Sequence, residues 1–359
     1  MRSNIKAIAE RAGVSKTAVS FAFNNPNRLA KATVQQILKI AEEMGYTPDP
    51  VARSMNTGKT GTIGLLLPQP IPEIIRNPFL PEFIEGIGEE CIEANLSLML
   101  VSPLKGSIQR AIINAAVDGF LTLGLEEYKA TMVVLRQRGV PYVTVDSDPI
   151  DGVPAVNIDD EAGACKVMRH VLQAGHRRLT ILAIRSGKLG HYQEYTGTLR
   201  HRVDGYIAAL AEYGLAIDGR HIRLIECPST EKGGEAGFQA IWKNRSHPTA
   251  IVAMSDIIAI GAMKAAQAEG VRIPEELSIV GFDDIPLAGL IHPALTTVAQ
   301  PLNRKGKLAA ELLVRTINGI NDPVVHHFLP TIMVIRDSVA SPFWTARPPR
   351  VAGKPRAAS

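Results

Sequence analysis

Two sets of residues in this 359-residue chain have types and spacings that could do chemistry, and both suit binding better than bond-making. The first set opens the chain: Lys16 and Thr17 stand at the N-terminal end of a short apolar-sided stretch. A lysine ammonium can donate to O6 or N7 of guanine, and a threonine can donate, accept, or touch a thymine methyl. The second set follows apolar runs. Asp146 follows Tyr142–Val145, Ser255 and Asp256 follow residues 250–254, Asp283 follows residues 277–280, and Asn77-Pro78-Phe79-Leu80 follows the first run. Carboxylates accept the protons of paired hydroxyls, and an aromatic face covers the C–H side of a sugar ring. Nothing points to catalysis. There is no G-x-x-x-x-G-K-[ST] loop, no G-x-S-x-G elbow after a strand and no H-E-x-x-H helix. The nine histidines are scattered, and Cys91, Cys165 and Cys227 fit neither a zinc spacing nor a disulfide framework. The expectation is a protein that is not an enzyme and uses no metal and no cofactor.

The first set needs rigid helices, and the sequence supplies them. Ile5, Ile8, Ala9 and Ala12 fall on one helical face, and Gly13 stops that helix. Ser15 is placed to cap a second helix over about 16–23, with Ala18, Val19, Ala22 and Phe23 on its apolar side. Two short helices joined by a tight glycine turn make a helix-turn-helix, whose second helix enters the major groove by its N-terminal end. A third helix over about 31–44 carries Val34, Ile37, Leu38, Ala41 and Met44, with Gly45 and Pro48 marking its stop. Charge agrees: residues 1–60 hold nine basic and four acidic side chains, residues 341–359 hold four basic and none acidic, and the body between is net negative. A basic end on an acidic body fits phosphate binding by one small module.

The second set needs strands with helices between them. From Thr62 onward short apolar runs alternate with amphipathic stretches, the pattern of parallel β-α-β units. In such sheets ligands bind beyond the carboxyl ends of the strands. Two lobes of similar element order follow one another, so the body reads as a two-lobed clamp.

The stretches AGVSKTAVSFAFN, GYTPDPVARSM and TIGLLLP resemble the lactose-repressor (LacI/GalR) family of bacterial transcription regulators, over about residues 3–340. The resemblance implies an all-α helix-turn-helix headpiece followed by a two-lobed, periplasmic-binding-protein-like, doubly wound α/β effector domain. By position it assigns base reading to Lys16, Thr17 and Phe21 and phosphate contact to Ser15 and Ser20. Phe21 stands where relatives often have Arg or His, and a phenyl ring has no base-edge hydrogen bond to give. Pro50 to Met55 resembles a hinge segment that becomes helical on DNA and enters the minor groove. That adds Val51, Ala52, Arg53 and the wedge position Met55, an unbranched apolar side chain where relatives have Leu. His201 to Tyr206 resembles an R-x-x-G-Y signature. The implied effector contacts are Asp146, Arg202 and Asp283 for hydroxyls, Ser255 for a further polar contact, and Phe79 with Leu80 for apolar contact. Asp256 reads equally as a helix cap or a ligand contact. Residues 187–199 match a variable ligand loop, and Asp159-Asp160 a structural crossover.

The implied organisation is a headpiece over 1–48, a hinge and linker over 49–61, and an effector-binding and dimerisation domain over 62–340. Lobe 1 would take about 62–159 with 294–322, and lobe 2 about 160–293 with 323–340. Crossovers are expected near Asp159, Pro293 and Asp322, and a disordered tail from Ser341. The expected partners are a palindromic double-stranded DNA operator, a small-molecule effector of carbohydrate type, and a second copy of the chain in a homodimer or higher assembly. No N-terminal secretion signal and no long apolar run are present, which reads as a cytoplasmic, nucleoid-associated protein. The alternatives are a transport-type sugar-binding protein and a regulator without a small-molecule effector.

Overall fold

The structure, a computed structural model, describes residues 4–124, 128–185, 191–243, 247–320, 323 and 325–342. The headpiece is α1 (Ile5–Ala12), α2 (Lys16–Asn24) and α3 (Lys31–Glu43), with a 3-10 turn at Pro26–Arg28. Its ends are set by local chemistry. The Asn4 side chain accepts the Ala7 amide, and Ser15 Oγ accepts the Ala18 amide at 3.1 Å. Gly13 closes α1 at φ +70°, a left-handed conformation a glycine adopts without strain. Ile8, Ala9, Ala12, Val19, Ala22, Ile37 and Ala41 form its core.

Helix α4 (Pro50–Thr57) follows. It is punctuated at both ends: Asp49 accepts the Val51 amide at 2.8 Å, Pro50 takes the first turn, and Gly58 ends the helix at φ +70°. The linker beyond it is fixed to the body. One oxygen of Asp118 accepts the Thr60 amide and hydroxyl at 2.6 and 2.9 Å, and the other accepts the Gly61 amide at 2.8 Å.

Lobe 1 holds β1 (Thr62–Leu66), β2 (Ser97–Val101), β3 (Gly119–Leu123), β4 (Tyr142–Val145) and β5 (Ala155–Ile158), with α5 (Ile71–Ile74), α6 (Phe79–Glu93), α7 (Ile108–Asn114) and α8 (Tyr128–Arg138). Lobe 2 holds β6 (Leu179–Ile184), β7 (Ile222–Cys227), β8 (Ala250–Ala253) and β9 (Ser278–Val280), with α9 (Asp160–Gln173), α10 (Gly197–Ala211), α11 (Glu231–Trp242), α12 (Asp256–Ala268) and α13 (Pro286–Leu290). The chain then runs through β10 (Thr297–Ala299), α14 (Leu302–Ile317), β11 (His326–Leu329) and β12 (Ile332–Val334). The sheets are parallel, ordered β11-β5-β4-β3-β1-β2 and β7-β6-β8-β9, and β10 with β12 forms an antiparallel ribbon. This is the doubly wound α/β architecture on a helical headpiece.

The lobe boundaries differ from expectation. Thr296 and Asp283 bridge β10 to the end of β9, so residues 294–300 stay with lobe 2 and the second crossover falls at Gln300–Pro301. Strand β11 pairs with β5, His326 opposite Ala155, and so completes the lobe 1 sheet. The third crossover therefore follows Leu329; Asp322 itself and the tail from residue 343 lie outside the described residues. The pairing decides the boundary: β5 would otherwise leave an open edge of unpaired backbone groups.

Close helix contacts make the cleft floor stiff. A Cβ on Gly86 of α6 would sit 1.9 Å from the Asn303 carbonyl, and one on Gly306 of α14 would sit 2.1 Å from the Phe83 carbonyl. The two helices therefore touch backbone to backbone. That contact presses the first turn of α14 against the N-terminal half of α6, and so places residue 305 at the cleft.

Candidate functional site

The loops at the carboxyl ends of the two sheets converge on a string of polar groups. Asp146, directly after β4 and at φ +51°, accepts a hydrogen bond from Lys305 Nζ at 2.7 Å. The Lys305 side chain has no exposed surface. Its ammonium also donates to Gln300 Oε1 at 2.5 Å and lies 5.6 Å from the centre of the Phe79 ring. Gln300 Nε2 donates in turn to Asp283 Oδ1 at 2.6 Å. Arg202 lies beyond Asp283. Its Nε donates to Asp160 Oδ1 at 2.8 Å, its Nη1 to the Met254 carbonyl, and its Nη2 lies 3.8 Å from Asp283 Oδ1. The guanidinium stacks 3.7 Å over the Phe282 ring. Asp146 and Lys305 belong to lobe 1, Arg202 and Asp283 to lobe 2, and Gln300 sits on the second crossover between them.

Electrostatics follow from burial. Three carboxylates share two cations. Desolvation pushes the Asp283 carboxyl up to about 6, opposed by Arg202 and the Gln300 hydrogen bond. It also raises Asp160, again against the pull of Arg202. Asp283 and Asp284 hold φ +124° and +59°, where side chains are strained. The fold fixes them there through the Asp283 amide, which donates to the Val298 carbonyl at 2.8 Å.

The lobes meet over this string. Thr198 Oγ1 donates to the Asp146 carbonyl at 3.4 Å, and His201 Nε2 lies 3.2 Å from Asp148 Oδ1. The remaining cavity, lined by Asn157, Asp160, Thr198, His201 and Phe328 among others, is about 10 Å³. That is room for about one water. A roomier hollow of about 310 Å³ opens at the opposite end of the lobe 1 sheet, beside Tyr142 and Pro154, and contains none of these residues.

Of the sequence-expected effector residues, Asp146, Arg202, Asp283 and Phe79 come together here. Ser255 is buried at the lobe 2 wall, 3.3 Å from the Ser229 hydroxyl. Leu80 does not face the cleft. Helix α6 begins at Phe79, so Leu80 joins Phe83, Ile87 and Cys91 on the core side and is 1% exposed. Asp256 is neither cap nor contact. Its carboxylate is a bolt between loops, accepting the Ile285 amide at 3.0 Å and the Thr297 hydroxyl at 2.5 Å. Of the variable loop, residues 187–190 lie outside the described residues, and Tyr195 is buried and donates to Glu226.

Lys305 and Gln300 were not foreseen. The signal existed: Leu302, Ala309, Ala310 and Leu313 make the buried stripe of α14, and Lys305 interrupts it at the next helical position.

Burial pushes the Asp256 carboxyl up to about 8, helped by Asp283. Between about pH 4 and pH 8 the folded chain therefore holds a proton the unfolded chain has lost, so this group's contribution to stability falls as pH rises through that window. In Asp256→Asn the amide nitrogen can donate to Thr297 Oγ1 while its oxygen accepts from Ile285. Thermal denaturation should show that variant gaining ~1 kcal/mol or more on wild type between pH 5 and pH 8. Parallel pH profiles for the two proteins would remove Asp256 from the account.

At the headpiece, Lys16 and Thr17 are exposed, and Ser20 and Phe21 half-buried, on the face of α2 opposite Val19 and Ala22. Ser15 is engaged as the helix cap. On α4, Val51 and Met55 are 65% and 82% exposed, and Arg53 is exposed too; the side chain of Ala52 lies outside what is described. Among the described residues, no helix is long and apolar enough to cross a membrane, and no cluster of His, Cys, Asp and Glu could hold a metal.

The chain is similar to known proteins over nearly its whole length. Residues 4–49 match the profile of the bacterial regulatory proteins of the lacI family, and residues 168–339 that of a periplasmic binding protein-like domain. An HTH-type transcriptional regulator of Mycobacterium tuberculosis is 33% identical, covering 88% of this chain and 91% of its own. The ribose operon repressor of Haemophilus influenzae is 30% identical over 94% and 99%. The solved complex of the transcriptional regulator CelR with cellobiose superposes with a TM-score of 0.67 at 26% identity, over 94% of this chain and all 100% of that one.

Proposed function

The chain belongs to the lacI family of bacterial regulatory proteins, and from that premise we propose that it is a transcriptional repressor whose grip on DNA is set by a sugar or sugar derivative. It reads a palindromic operator as a homodimer, because one headpiece covers one half-site and a two-fold site calls for two. Lys16, Thr17, Ser20, Val51, Arg53 and Met55 face the DNA. Asp146, Arg202, Ser255, Asp283 and Phe79 receive the effector, together with Lys305 and Gln300. The molecule acts in the cytoplasm, and no step of chemistry is assigned to it. Similarity to a ribose operon repressor and to a cellobiose-bound regulator supports the carbohydrate class.

The observation that carries this reading is the string Asp146–Lys305–Gln300–Asp283–Arg202, which joins both lobes through three hydrogen bonds of the kind a polyol's hydroxyls make and ends in the 3.8 Å ion pair of Asp283 with Arg202. When the lobes part, hydroxyls can accept from Lys305 and Arg202 and donate to Asp146 and Asp283, replacing partners the chain supplies to itself. A ligand with different affinity for the open and closed arrangements shifts their populations. The linker is bonded to lobe 1 at Asp118, so a change in how two lobe 1 units face each other reaches the hinge helices.

The test begins with bound duplexes selected from random DNA, followed by titration of the complex with a panel of neutral sugars. Arg202→Ala would strand two buried carboxylates and confuse the result; Arg202→Lys keeps a charge for Asp160 and removes the fork. Operator affinity should stay within about threefold, and the effector midpoint should rise by roughly tenfold, one lost charge-assisted hydrogen bond. An unchanged midpoint in Arg202→Lys, or no response to any sugar by wild type, would sink the effector assignment while leaving the DNA reading intact.

A further inference from the structure

We infer that Arg28 is a base-reading residue, held in place by Phe21, so that the pair does what a single basic side chain on the recognition helix could do. The proposal rests on the DNA-binding reading of the headpiece. Phe21 lies on the face of α2 that also carries Lys16, Thr17 and Ser20, yet its ring can make no hydrogen bond to a base edge.

The chain does not leave that face when α2 ends. The Asn25 amide bonds back to the Phe21 carbonyl at 2.8 Å, the Arg28 amide to the Asn25 carbonyl at 3.0 Å, and the Leu29 amide to the Pro26 carbonyl at 3.1 Å. This 3-10 turn folds Arg28 back along the helix, and its guanidinium carbon lies 5.3 Å from the centre of the Phe21 ring. That distance is within the range of cation–π attraction.

Arg28 is exposed, and among the described residues nothing bonds to or ion-pairs with its guanidinium. The headpiece bases Lys6 and Arg11, by contrast, are matched with Glu10 and Glu43. Cation–π attraction can hold a guanidinium beside a ring without using its N–H groups. A fork held this way and left unpaired is suited to O6 and N7 of one guanine, the bidentate contact arginine makes in the major groove. Phe21 is then a platform that removes some of the rotamer freedom a long exposed arginine would lose on binding.

The experiment uses the full chain. Bound duplexes are selected from random DNA, and affinities of wild type, Arg28→Ala, Arg28→Lys and Phe21→Leu are measured on the selected operator and on all four bases at each half-site position. Arg28 is exposed and Phe21 half-buried, and circular dichroism checks that all three variants fold. Wild type should prefer guanine at one position by roughly tenfold or more. Arg28→Ala should erase the preference at that position alone. Arg28→Lys should weaken it, and Phe21→Leu should weaken it without touching the guanidinium. If Arg28→Ala instead lowers affinity for all four bases equally, with the slope of log affinity against log salt smaller by about one, the side chain meets a phosphate and the proposal is wrong. An unaltered base preference overturns it as well. Failure of the unmodified protein to select any sequence would overturn the DNA reading beneath it.

Discussion

Replacing Met55 by alanine is expected to weaken binding to the selected operator by about fiftyfold, while binding to scrambled duplex changes by less than about threefold; the specific loss corresponds to roughly 2 kcal/mol. The reason is where the side chain stands. Met55 is 82% exposed and Val51, one turn earlier on the same face of α4, is 65% exposed. Among the described residues nothing covers this apolar pair. Set between stacked bases in a minor groove, a methionine recovers contact area and holds open a kink that further contacts need. Alanine removes the wedge and improves helix propensity, so a loss cannot be put down to a broken helix. Binding to scrambled DNA rests on phosphate contacts, which the substitution spares. The comparison needs only fluorescence anisotropy on two duplexes at one salt concentration. Equal losses on both would mean that α4 is a spacer and not a wedge.

Lys305→Met should destabilise the protein by about 3 kcal/mol, the usual cost of stranding one member of a buried ion pair. For a domain of this size that is roughly 6–12 °C in Tm. Methionine matches the length and apolar stem of lysine, so packing against α6 survives. What is lost is the ammonium between Asp146, at 2.7 Å, and Gln300, at 2.5 Å. Adding Asp146→Asn removes the orphaned charge and should restore at least half of the lost stability. A double-mutant cycle that shows no coupling between the two positions would mean the pair is incidental, and the cleft would have to be read without it.

Lys305 also shows where reading a sequence stops. Arg304-Lys305-Gly306-Lys307 has the look of a solvated helix face. Only the close approach of α6 and α14 through Gly86 and Gly306 buries one of its charges, and that contact is between residues more than 200 positions apart. The headpiece lies at the other extreme. Its caps, glycine stop and apolar stripes are local, so Ser15, Gly13 and Ile8 behave in space as they do in the string. The strands divide in the same way. Apolar runs such as residues 179–184 announce themselves, whereas β5, β10 and β11 are three or four residues long and carry little pattern of their own. β11 reads His-His-Phe-Leu, with nothing strand-like until it meets β5, and that pairing moves the third crossover beyond Leu329. Leu80 and Asp256 failed for a related reason. Position after a strand says that a loop is near the cleft, but not which way each side chain turns.

The Asp118 contacts have a consequence for how such a protein can be altered. Among the described residues, the stretch up to Gly61 is hydrogen-bonded to the body at few points: the three bonds to the Asp118 carboxylate, the Ser97 amide on the Gly61 carbonyl at 2.9 Å, and Lys59 beside Asn318 at 3.4 Å. That is a plug in a socket, and three of those five bonds have backbone donors, which any sequence can supply. Residues 4–61 are thus an exchangeable cartridge. A headpiece from a relative, spliced at Thr60–Gly61 with Asp118 retained, should bring its own address on the chromosome and leave the sensor body answering the same molecule.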